Sequence, residues 1–412
     1  MQSFFSAEFF SGNRKRLQEK LGHDTLIVLT ANGTMQRGGD EPLSFYQDSS
    51  FWYLTGLDGA DLTLVISAED TYVIVPGLSA VREAFDGAHD TAAYAKRSGI
   101  SRFMAEQEGW QRLRSQIQAV DSVATLLSPP EFIKSHGIYS LPYRRRLIAR
   151  LKRMHSGLAI RDIRPELAVM RSIKQPEELL ALQKAIDITA ATLQDIAKHT
   201  LPEAAHEYEL DAALAYGFRR RGATGHAFSP IVGAGSHSTT LHYMNNDGPL
   251  GPDDLVVLDV GAEFEHYAAD ITRTVSQTPI TERKAELFRA VAIVQDYALG
   301  LIKPGVLPRD YELAVEERMG KELRKLKLIT TPTRENIRRY FPHATSHFLG
   351  LDTHDTGDYR APWQENMVIT CEPGIYIPEE GIGVRIEDDV LITQNGNRVL
   401  SQDCPRELTA VQ

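Results

Sequence analysis

Segment 255–274, LVVLDVGAEFEHYAADITRT, constrains the fold strongly because it sets two carboxylates beside apolar strands. The run 255–258 is typical of a buried strand and leads to Asp259, while Asp270 directly precedes a second β-prone run, 271–275. A buried carboxylate is costly unless a partner or a cation compensates its charge. The pattern therefore predicts a hairpin that turns both carboxylates toward a divalent cation, although either aspartate alone is also typical of a turn or a cap.

Length and composition restrict the class of protein. The chain has 412 residues, which suits two domains, and we place the boundary between residues 165 and 166. A formal net charge of −10 argues against a nucleic-acid partner, and no apolar run is long enough to cross a membrane. The N-terminus lacks the pattern of a secretory signal, and the chain has only two cysteines, so we expect a reducing, cytoplasmic location.

The first 165 residues are predicted to form a small α/β domain. Residues 6–21 predict an amphipathic helix whose exposed side carries Arg14, Lys15, Arg16 and Lys20. Short strands separated by turn residues are predicted at 25–30, 51–56, 61–67 and 71–76. Helices are predicted at 79–85 and 103–120, and a basic helix at 144–153 is expected to present a solvated face.

Beyond residue 170 the pattern changes to longer helices with strands between them. Pro176 predicts the first turn of a helix, and Glu177 and Glu178 suit the positive end of its dipole. Segment 201–210, LPEAAHEYEL, resembles segment 303–313, KPGVLPRDYEL, and each follows a long predicted helix. This similarity predicts a duplicated helix–helix–strand unit with a cleft between its halves, which is a natural place for chemistry.

Several polar residues interrupt apolar segments in the C-terminal part. The strand-like segment TTLHYMNN carries His242, and Glu372 interrupts the apolar run VITCEPGIYI. The segment HATSHFLGLDTHD contributes four such residues, His343, His347, His354 and Asp355. Each of them alone has a structural explanation, since a buried histidine is usually only hydrogen-bonded and a glutamate before Pro-Gly often belongs to a turn.

The segment GVRIEDD adds a further carboxylate and a guanidinium. Its alternation places Arg385 and Glu387 on one face of a strand, so we expect Arg385 to hold Glu387. Two aspartates, two glutamates and one histidine on strand-like segments then form an oxygen-rich ligand set. Such donors suit manganese, cobalt, zinc or iron(II), and two ions can share bridging carboxylates.

With these motifs the chain resembles the aminopeptidase P and prolidase branch of the metallopeptidases with the pita-bread fold. The motifs LDVGAEFEHYAADITRT, SHFLGLDTHD, CEPGIYI and GVRIEDD occur in the family's order and approximate spacing. FWYLTG resembles part of the N-terminal domain that this branch carries. The resemblance implies an α+β fold, in which a smaller α/β domain (1–165) precedes a C-terminal pita-bread catalytic domain (166–412).

The resemblance also implies a role for each residue at a matching position. Asp259 would bind one ion and His347 the other. Asp270 and Glu387 would bridge the two ions, and Glu372 would complete the second site. The implied cofactor is a pair of divalent ions, most often Mn²⁺, with Co²⁺ or Zn²⁺ as alternatives.

Further residues would serve the substrate. By resemblance, His242 would contact the substrate, and His354 would stabilise the intermediate or the substrate carbonyl. His343 would line the pocket on the proline side, and Arg385 is assigned to substrate binding. One departure from the family is Phe228, which stands where bacterial relatives often have a tyrosine.

The implied activity is hydrolysis of the bond between an N-terminal residue and a following proline. Water activated between the two cations would attack the amide carbonyl, with Glu372 accepting and returning the proton. A prolidase that cleaves Xaa-Pro dipeptides is the alternative within the family. A non-catalytic pita-bread binding protein and a metal-free, creatinase-like hydrolase are alternatives outside it, and the intact ligand set disfavours both. The resemblance further implies a homo-oligomer, a dimer or a tetramer.

Overall fold

The computed structural model describes residues 3–129 and 137–407, and the chain divides into two compact units. The first unit ends at Ala168 and the second begins at Val169, whereas the sequence placed the boundary between residues 165 and 166. Among the helices of the described residues, none is both long and apolar enough to cross a membrane.

A mixed six-stranded sheet forms the centre of the first unit. The strands of this unit are β1 (Ile27–Thr30), β2 (Gln36–Gly38), β3 (Glu41–Pro42), β4 (Thr63–Ile66), β5 (Thr71–Val75), β6 (Arg102–Ala105), β7 (Ser122–Thr125) and β8 (Ala159–Asp162). The sheet has the order β6-β5-β4-β1-β7-β8, and β2 pairs only with β3. Strand β4 is antiparallel to β1 and β5, while the remaining neighbours are parallel. Buried side chains such as Val28, Val65 and Leu113 form the core beneath it.

Helices cover this sheet. They are α1 (Ala7–Leu21), α2 (Ser49–Thr55), α3 (Ala80–Asp86), α4 (Thr91–Ser98), α5 (Glu106–Ile117) and α6 (Tyr143–Met154), and α7 (Arg164–Ser172) contains the boundary between the units. The predicted helices at 6–21, 79–85 and 144–153 are confirmed. The predicted helix 103–120 is wrong at its start, because residues up to Ala105 belong to β6.

The prediction of a strand at 51–56 is wrong, because this segment lies in helix α2. Asp48 caps the helix by accepting bonds from two backbone N–H groups, and Gly56 ends it in the left-handed conformation with φ 67°. The aromatic side chains of Phe51, Trp52 and Tyr53 are all fully buried. A helix that is buried on every side has no 3.6-residue apolar period, so its sequence resembles that of a buried strand.

The placement of Arg14 on the exposed side of α1 is also wrong. Its side chain is buried and donates to the carbonyl oxygens of Leu54 at 2.7 Å and Ser98 at 2.9 Å. These two carbonyls lie in the last turns of α2 and α4. Arg14 therefore satisfies the C-terminal ends of two helices at once, which a helical period in α1 alone does not reveal.

Long helices dominate the second unit. They are α8 (Pro176–Asp195), α9 (Glu207–Arg220), α10 (Glu282–Leu301), α11 (Pro308–Lys325) and α12 (Arg334–Tyr340), with a π-helical turn at Ile196–Thr200 and a 3-10 helix at Gly235–Thr239. Pro176 begins α8 as predicted, and Glu178 completes a capping box with Gln175. The two similar segments each lead into the second helix of a pair, α8 with α9 and α10 with α11.

The strands of the second unit form four small antiparallel sheets. They are β9 (Gly225–His226), β10 (Ile231–Ala234), β11 (Leu255–Val260), β12 (Ala262–Phe264), β13 (Tyr267–Ala268), β14 (Ile271–Ser276), β15 (Val368–Cys371), β16 (Gly374–Ile377), β17 (Ile382–Arg385), β18 (Asp388–Thr393) and β19 (Gly396–Val399). Their orders are β10-β11-β14, β13-β12-β9, β15-β18-β19 and β16-β17. Buried residues of α10, α11 and β15–β18, including Val291, Val315 and Ile369, form one core.

Candidate metal centre

The predicted hairpin of β11 and β14 is confirmed, and it carries the two aspartates. Asp259 pairs with Thr272 across the hairpin, so that Asp270 lies just before the paired part of β14. Gly261 allows the chain to close here, since a Cβ atom at this position would lie 1.7 Å from the carbonyl oxygen of Ala269. The hairpin thus brings both carboxylates to one end of the sheet, where the charge of Asp259 acts on Asp270.

Three of the predicted metal ligands converge on one point. One ligand atom from each of Asp270, His347 and Glu387 lies within 4.8 Å of the other two. The Nε2 atom of His347 lies 3.4 Å from Asp270 Oδ2 and 3.5 Å from Glu372 Oε1. Asp259 lies inside a strand, whereas Asp270, Glu372 and Glu387 lie just outside strand ends. His347 lies in an irregular segment, directly before the isolated bridge between Phe348 and Ile369. The expected strand-like setting is therefore wrong for the ligand candidates other than Asp259.

The electrostatics of this cluster favour a bound cation. Burial raises the pKa of Asp270 and of Glu387 well above the usual range, and the neighbouring carboxylates raise both further. Burial also raises the pKa of Glu372 to about 7, although His347 and Arg385 oppose that change. In addition, the buried Oδ1 atom of Asp259 has no hydrogen-bond partner. Four carboxylates and one imidazole are a donor set that suits divalent metal ions.

Hydrogen bonds orient the imidazole of His347 toward this cluster. Its Nδ1 atom lies 3.0 Å from the carbonyl oxygen of Phe348, to which it donates. The Nε2 atom, which faces the carboxylates, then keeps its lone pair for a metal ion. The hydroxyl of Thr370 accepts from the backbone N–H of His347 at 3.1 Å and donates to Glu372 Oε1 at 3.2 Å, which fixes the histidine and the glutamate together.

Arg385 is buried next to Asp259, and its expected pairing with Glu387 is wrong. Its Nη2 atom donates to Asp259 Oδ2 at 2.6 Å, and its Nε atom donates to the hydroxyl of Thr272 at 3.2 Å. Thr272 in turn donates to Glu387 Oε2 at 2.6 Å. The sequence suggested that Arg385 and Glu387 share one face of a single strand. This is wrong because strand β17 ends at Arg385 and strand β18 begins only at Asp388, so that Glu387 lies between two strands.

His343 lies beside Glu372 and is held as a neutral imidazole. Its Nδ1 atom donates to the carbonyl of Ala344 at 2.7 Å, and its Nε2 atom accepts from the hydroxyl of Tyr376 at 2.9 Å. Burial lowers the pKa of His343 to about 3, with a further contribution from the charge of Arg385. The Nδ1 atom of His343 is 3.7 Å from Glu372 Oε2, so this ring forms one wall of the cluster.

His354 and His242 are exposed and lie at the edge of the cluster. The ring of His354 contacts that of His347 edge to face, with 4.3 Å between the ring centres. His242 is close enough to His343 for its charge to lower the pKa of that ring.

The prediction that His242 lies on a strand is wrong, since it follows the 3-10 helix in a turn. Glu207, which is fully buried, holds this turn by accepting from the hydroxyl of Tyr243 at 2.9 Å and from the N–H of Gly248 at 2.7 Å.

Comparisons with known proteins agree with this geometry. The model of metallopeptidase family M24 matches residues 181–394, and that of the aminopeptidase P N-terminal domain matches residues 10–124. The chain belongs to metallopeptidase family M24. The Xaa-Pro aminopeptidase 3 of Homo sapiens is 32% identical over 97% of this chain and 82% of that protein. The Xaa-Pro aminopeptidase of Haemophilus influenzae is 31% identical over 98% of this chain and 96% of its own length.

Solved structures of aminopeptidase P confirm the fold. The aminopeptidase P of Escherichia coli with the inhibitor Pro-Leu matches with a TM-score of 0.85 and 28% identity, over 98% of this chain and 97% of that one. The predicted resemblance and the predicted α+β fold, with an N-terminal domain and a C-terminal M24 domain, are therefore confirmed. Membership of this metallopeptidase family implies divalent metal ions, in agreement with the cluster of Asp270, His347 and Glu387.

Several residues that contact the candidate metal centre have no assignment from the sequence. Tyr376 accepts from Arg385 Nη1 at 2.7 Å, and Asp389 accepts from the backbone N–H of Asp270 at 3.1 Å. Arg273, which is fully buried, donates to the carbonyl oxygen of Glu387 at 2.6 Å. In the sequence, each of these residues is visible only as a polar residue inside an otherwise apolar strand. This pattern indicates that the side chain is buried, but it does not indicate which groups the side chain contacts.

Proposed function

We propose that this chain is a metal-dependent aminopeptidase that hydrolyses the bond between an N-terminal residue and a following proline. We further propose that two divalent ions are held by the five predicted ligands, Asp259, Asp270, His347, Glu372 and Glu387. The convergence of the ligand atoms of Asp270, His347 and Glu387 within 4.8 Å, in a chain whose relatives are Xaa-Pro aminopeptidases, is the observation that carries the proposal.

The chemistry divides between the ions and the side chains around them. Bound divalent ions would lower the pKa of a water molecule and polarise the amide carbonyl. Glu372, held by Thr370 and close to His347, is the group that would accept a proton from water and return it to the departing amine. His354 and His242, at the edge of the cluster, would donate hydrogen bonds to the substrate carbonyl.

Side chains that contact the proposed ligands orient them. Arg385 is 4% exposed and bonds to Asp259, Thr272 and Tyr376, so we assign it the role of orienting Asp259. Its burial argues against the direct substrate contact expected from the sequence. His343, which stays neutral and faces Glu372, is proposed to line the proline-side pocket.

Three finer assignments belong to the same proposal. Manganese is the proposed native metal, because four carboxylates and one imidazole match its preference for oxygen donors. The cytoplasm is the proposed compartment, since Cys371 and Cys404 are both free thiols. A dimer or tetramer is proposed from the family resemblance, and sedimentation velocity of the full chain would contradict it by giving the mass of a monomer.

A substrate panel tests the activity. Purified chain is dialysed against chelator and then assayed with Mn²⁺, Co²⁺ or Zn²⁺ on Xaa-Pro-Xaa tripeptides, Xaa-Pro dipeptides and Xaa-Ala-Xaa tripeptides. We expect release of the first residue from Xaa-Pro-Xaa, and we expect chelation to abolish it. Cleavage of dipeptides only would identify a prolidase. Full activity after complete metal removal, or no cleavage of any proline peptide, would contradict the proposal.

Substitution of a bridging carboxylate tests the ligand assignment. We expect Asp270→Asn and Glu387→Gln to lower kcat by at least about 100-fold, because an amide replaces a carboxylate that both ions would share. Asp253→Asn is the matched control, since Asp253 is an exposed aspartate just before β11. Circular dichroism should show all three variants folded, and near-normal turnover in Asp270→Asn would refute the bridging role.

A further inference from the structure

A buried cluster of charged side chains holds the loop that carries His354. Lys174 Nζ donates to Asp355 Oδ2 at 2.9 Å, and Arg171 Nη2 donates to Asp355 Oδ1. The side chains of Lys174 and Asp355 are each 1% exposed, and that of Arg171 is 5% exposed. Burying three charges is costly, so their pairing requires a well-defined geometry. The proposed chemistry uses none of the three.

The backbone of the same loop folds back on itself and brings two histidines together. The N–H of Asp355 donates to the carbonyl oxygen of Phe348 at 2.8 Å. That carbonyl also accepts from His347 Nδ1 at 3.0 Å. This fold of the backbone places His354 next to His347. The two rings contact each other edge to face, with 4.3 Å between the ring centres.

Both oxygen atoms of the Asp355 carboxylate are engaged, so its orientation is fixed. In addition to Arg171, Oδ1 accepts from the backbone N–H of Thr356 at 2.8 Å, while Lys174 occupies Oδ2. The loop also packs directly on this pair, since a Cβ atom at Gly350 would lie 2.1 Å from Asp355 Oδ2 and 2.5 Å from Lys174 Nζ. Movement of the carboxylate would therefore move the loop.

We propose that Asp355, held by Lys174 and Arg171, is a positioning residue that fixes the His354 ring against His347 for catalysis. This inference rests on the proposed function. Asp355 does not act on the substrate itself, because its carboxylate is enclosed by protein groups. Its effect on turnover passes through His354, and that dependence distinguishes it from a residue that only stabilises the fold.

A double-mutant cycle tests this dependence. Asp355→Asn, His354→Ala and the double variant are assayed as manganese-loaded full chains on an Xaa-Pro-Xaa tripeptide. We expect Asp355→Asn alone to lower kcat by about 10–100-fold, the range typical when a residue that orients an active-site group is lost. In the His354→Ala background the same substitution should change kcat by less than about twofold, since the coupled groups act as one. KM should change much less than kcat, because the contact between His354 and the substrate is expected to form mainly in the transition state.

The cycle has a matched control in the same loop. Asp352 also pairs with Arg171, at 2.7 Å, but its side chain is 43% exposed. Asp352→Asn makes the same change of charge three positions away and should leave kcat within about twofold of the wild type, because solvent screens the pair. An equal fall in kcat on adding Asp355→Asn to both backgrounds, or normal kcat in Asp355→Asn, would overturn the inference. Failure of the wild type on all proline peptides would instead refute the proposed function.

A second measurement does not depend on turnover. In metal-free protein with labelled histidine, the Cε1–H resonance of His354, identified by its absence in His354→Ala, should carry the ring-current shift of the His347 contact. We expect Asp355→Asn to remove this shift and Asp352→Asn to keep it. If Asp355→Asn alone does not fold, the double variant Lys174→Gln with Asp355→Asn removes one charge of each sign and undergoes both tests. An unchanged His354 resonance in a folded variant that lacks the Asp355 carboxylate would contradict the inference.

Discussion

Asp355 and the two carboxylates proposed to bridge the ions are all buried, but their electrostatic surroundings are opposite. Asp270 and Glu387 face other carboxylates, so burial and mutual repulsion both raise the pKa of each. Burial alone would also raise the pKa of Asp355, but Arg171 and Lys174 outweigh it, and the pKa of Asp355 lies below its usual value. A bound cation would compensate the charges of Asp270 and Glu387. The charge of Asp355 is already compensated by the side chains of Arg171 and Lys174. The pKa of Asp355 thus shifts in the opposite direction to those of Asp270 and Glu387 because its neighbours are cations rather than carboxylates.

The lowered pKa of Asp355 predicts a dependence of stability on pH. Its unfolded pKa is about 3.9, so the ion pairs contribute fully above that value and are lost as the pH falls through the lower folded pKa. In metal-free protein near neutral pH we expect Asp355→Asn to lower the free energy of unfolding by about 3–5 kcal/mol. Urea titrations should show this difference shrinking below about pH 4. A difference that is constant with pH would contradict the assignment.

At the scale of single elements, the polar side chains discussed above act mainly at the ends of helices and strands. Asp270, Glu372 and Glu387 lie just beyond strands, where the backbone is free to turn a side chain toward the cluster. In the first unit, Arg14 joins the ends of α2 and α4 from the middle of α1. Burial lowers the pKa of Arg14 to about 10, so the group remains charged at neutral pH and attracted to the negative ends of both helix dipoles.

Arg14→Met is expected to destabilise the protein without touching the candidate metal centre. Two buried carbonyls of helix ends lose their donor, so we expect the free energy of unfolding to fall by about 2–4 kcal/mol. The neighbouring Lys15, whose side chain is 76% exposed, provides the control. Lys15→Met should change the free energy by no more than about 0.5 kcal/mol. Denaturant titration measures both, and an equal effect of the two substitutions would rule out the capping role of Arg14.

Elements were predictable where their periodicity was clear. The helix at Pro176 follows from the proline and the acidic residues of its first turn, and the β11–β14 hairpin follows from two apolar runs. The long helix predicted before residue 303 is also present, at Glu282–Leu301. Helix α2 was not predictable from apolar spacing, because it is buried on every side. The turn carrying His242 was not predictable either, since a distant carboxylate, Glu207, holds it through the fold.

At the scale of the whole molecule, the sequence identifies charged residues in apolar surroundings but does not predict which residues they pair with. Short motifs identify Asp259 and Arg385, because a charge inside an apolar segment is visible in the sequence. The bond between them joins residues 126 positions apart. Such a pairing depends on how β17 packs beside β11, which the order of residues along one strand does not contain.

Metal loading should stabilise the whole chain by mass action. With free Mn²⁺ at 100 times its dissociation constant, a site absent from the unfolded chain adds about 2.7 kcal/mol to the free energy of unfolding. We expect Mn²⁺ to raise the Tm of the wild type and to raise that of Glu387→Gln much less. Without metal, Glu387→Gln should melt at the same temperature or higher, because one repulsive carboxylate is gone. Calorimetry showing an equal Mn²⁺-induced shift in both proteins would contradict the ligand role.

The closure of the chain at Gly261 has a consequence for how the site is assembled. Because the carbonyl oxygen of Ala269 occupies the space that a side chain of residue 261 would need, main-chain packing sets the backbone separation between Asp259 and Asp270. The backbone positions from which the two carboxylates project are therefore built into the hairpin, and a side chain at residue 261 would displace them.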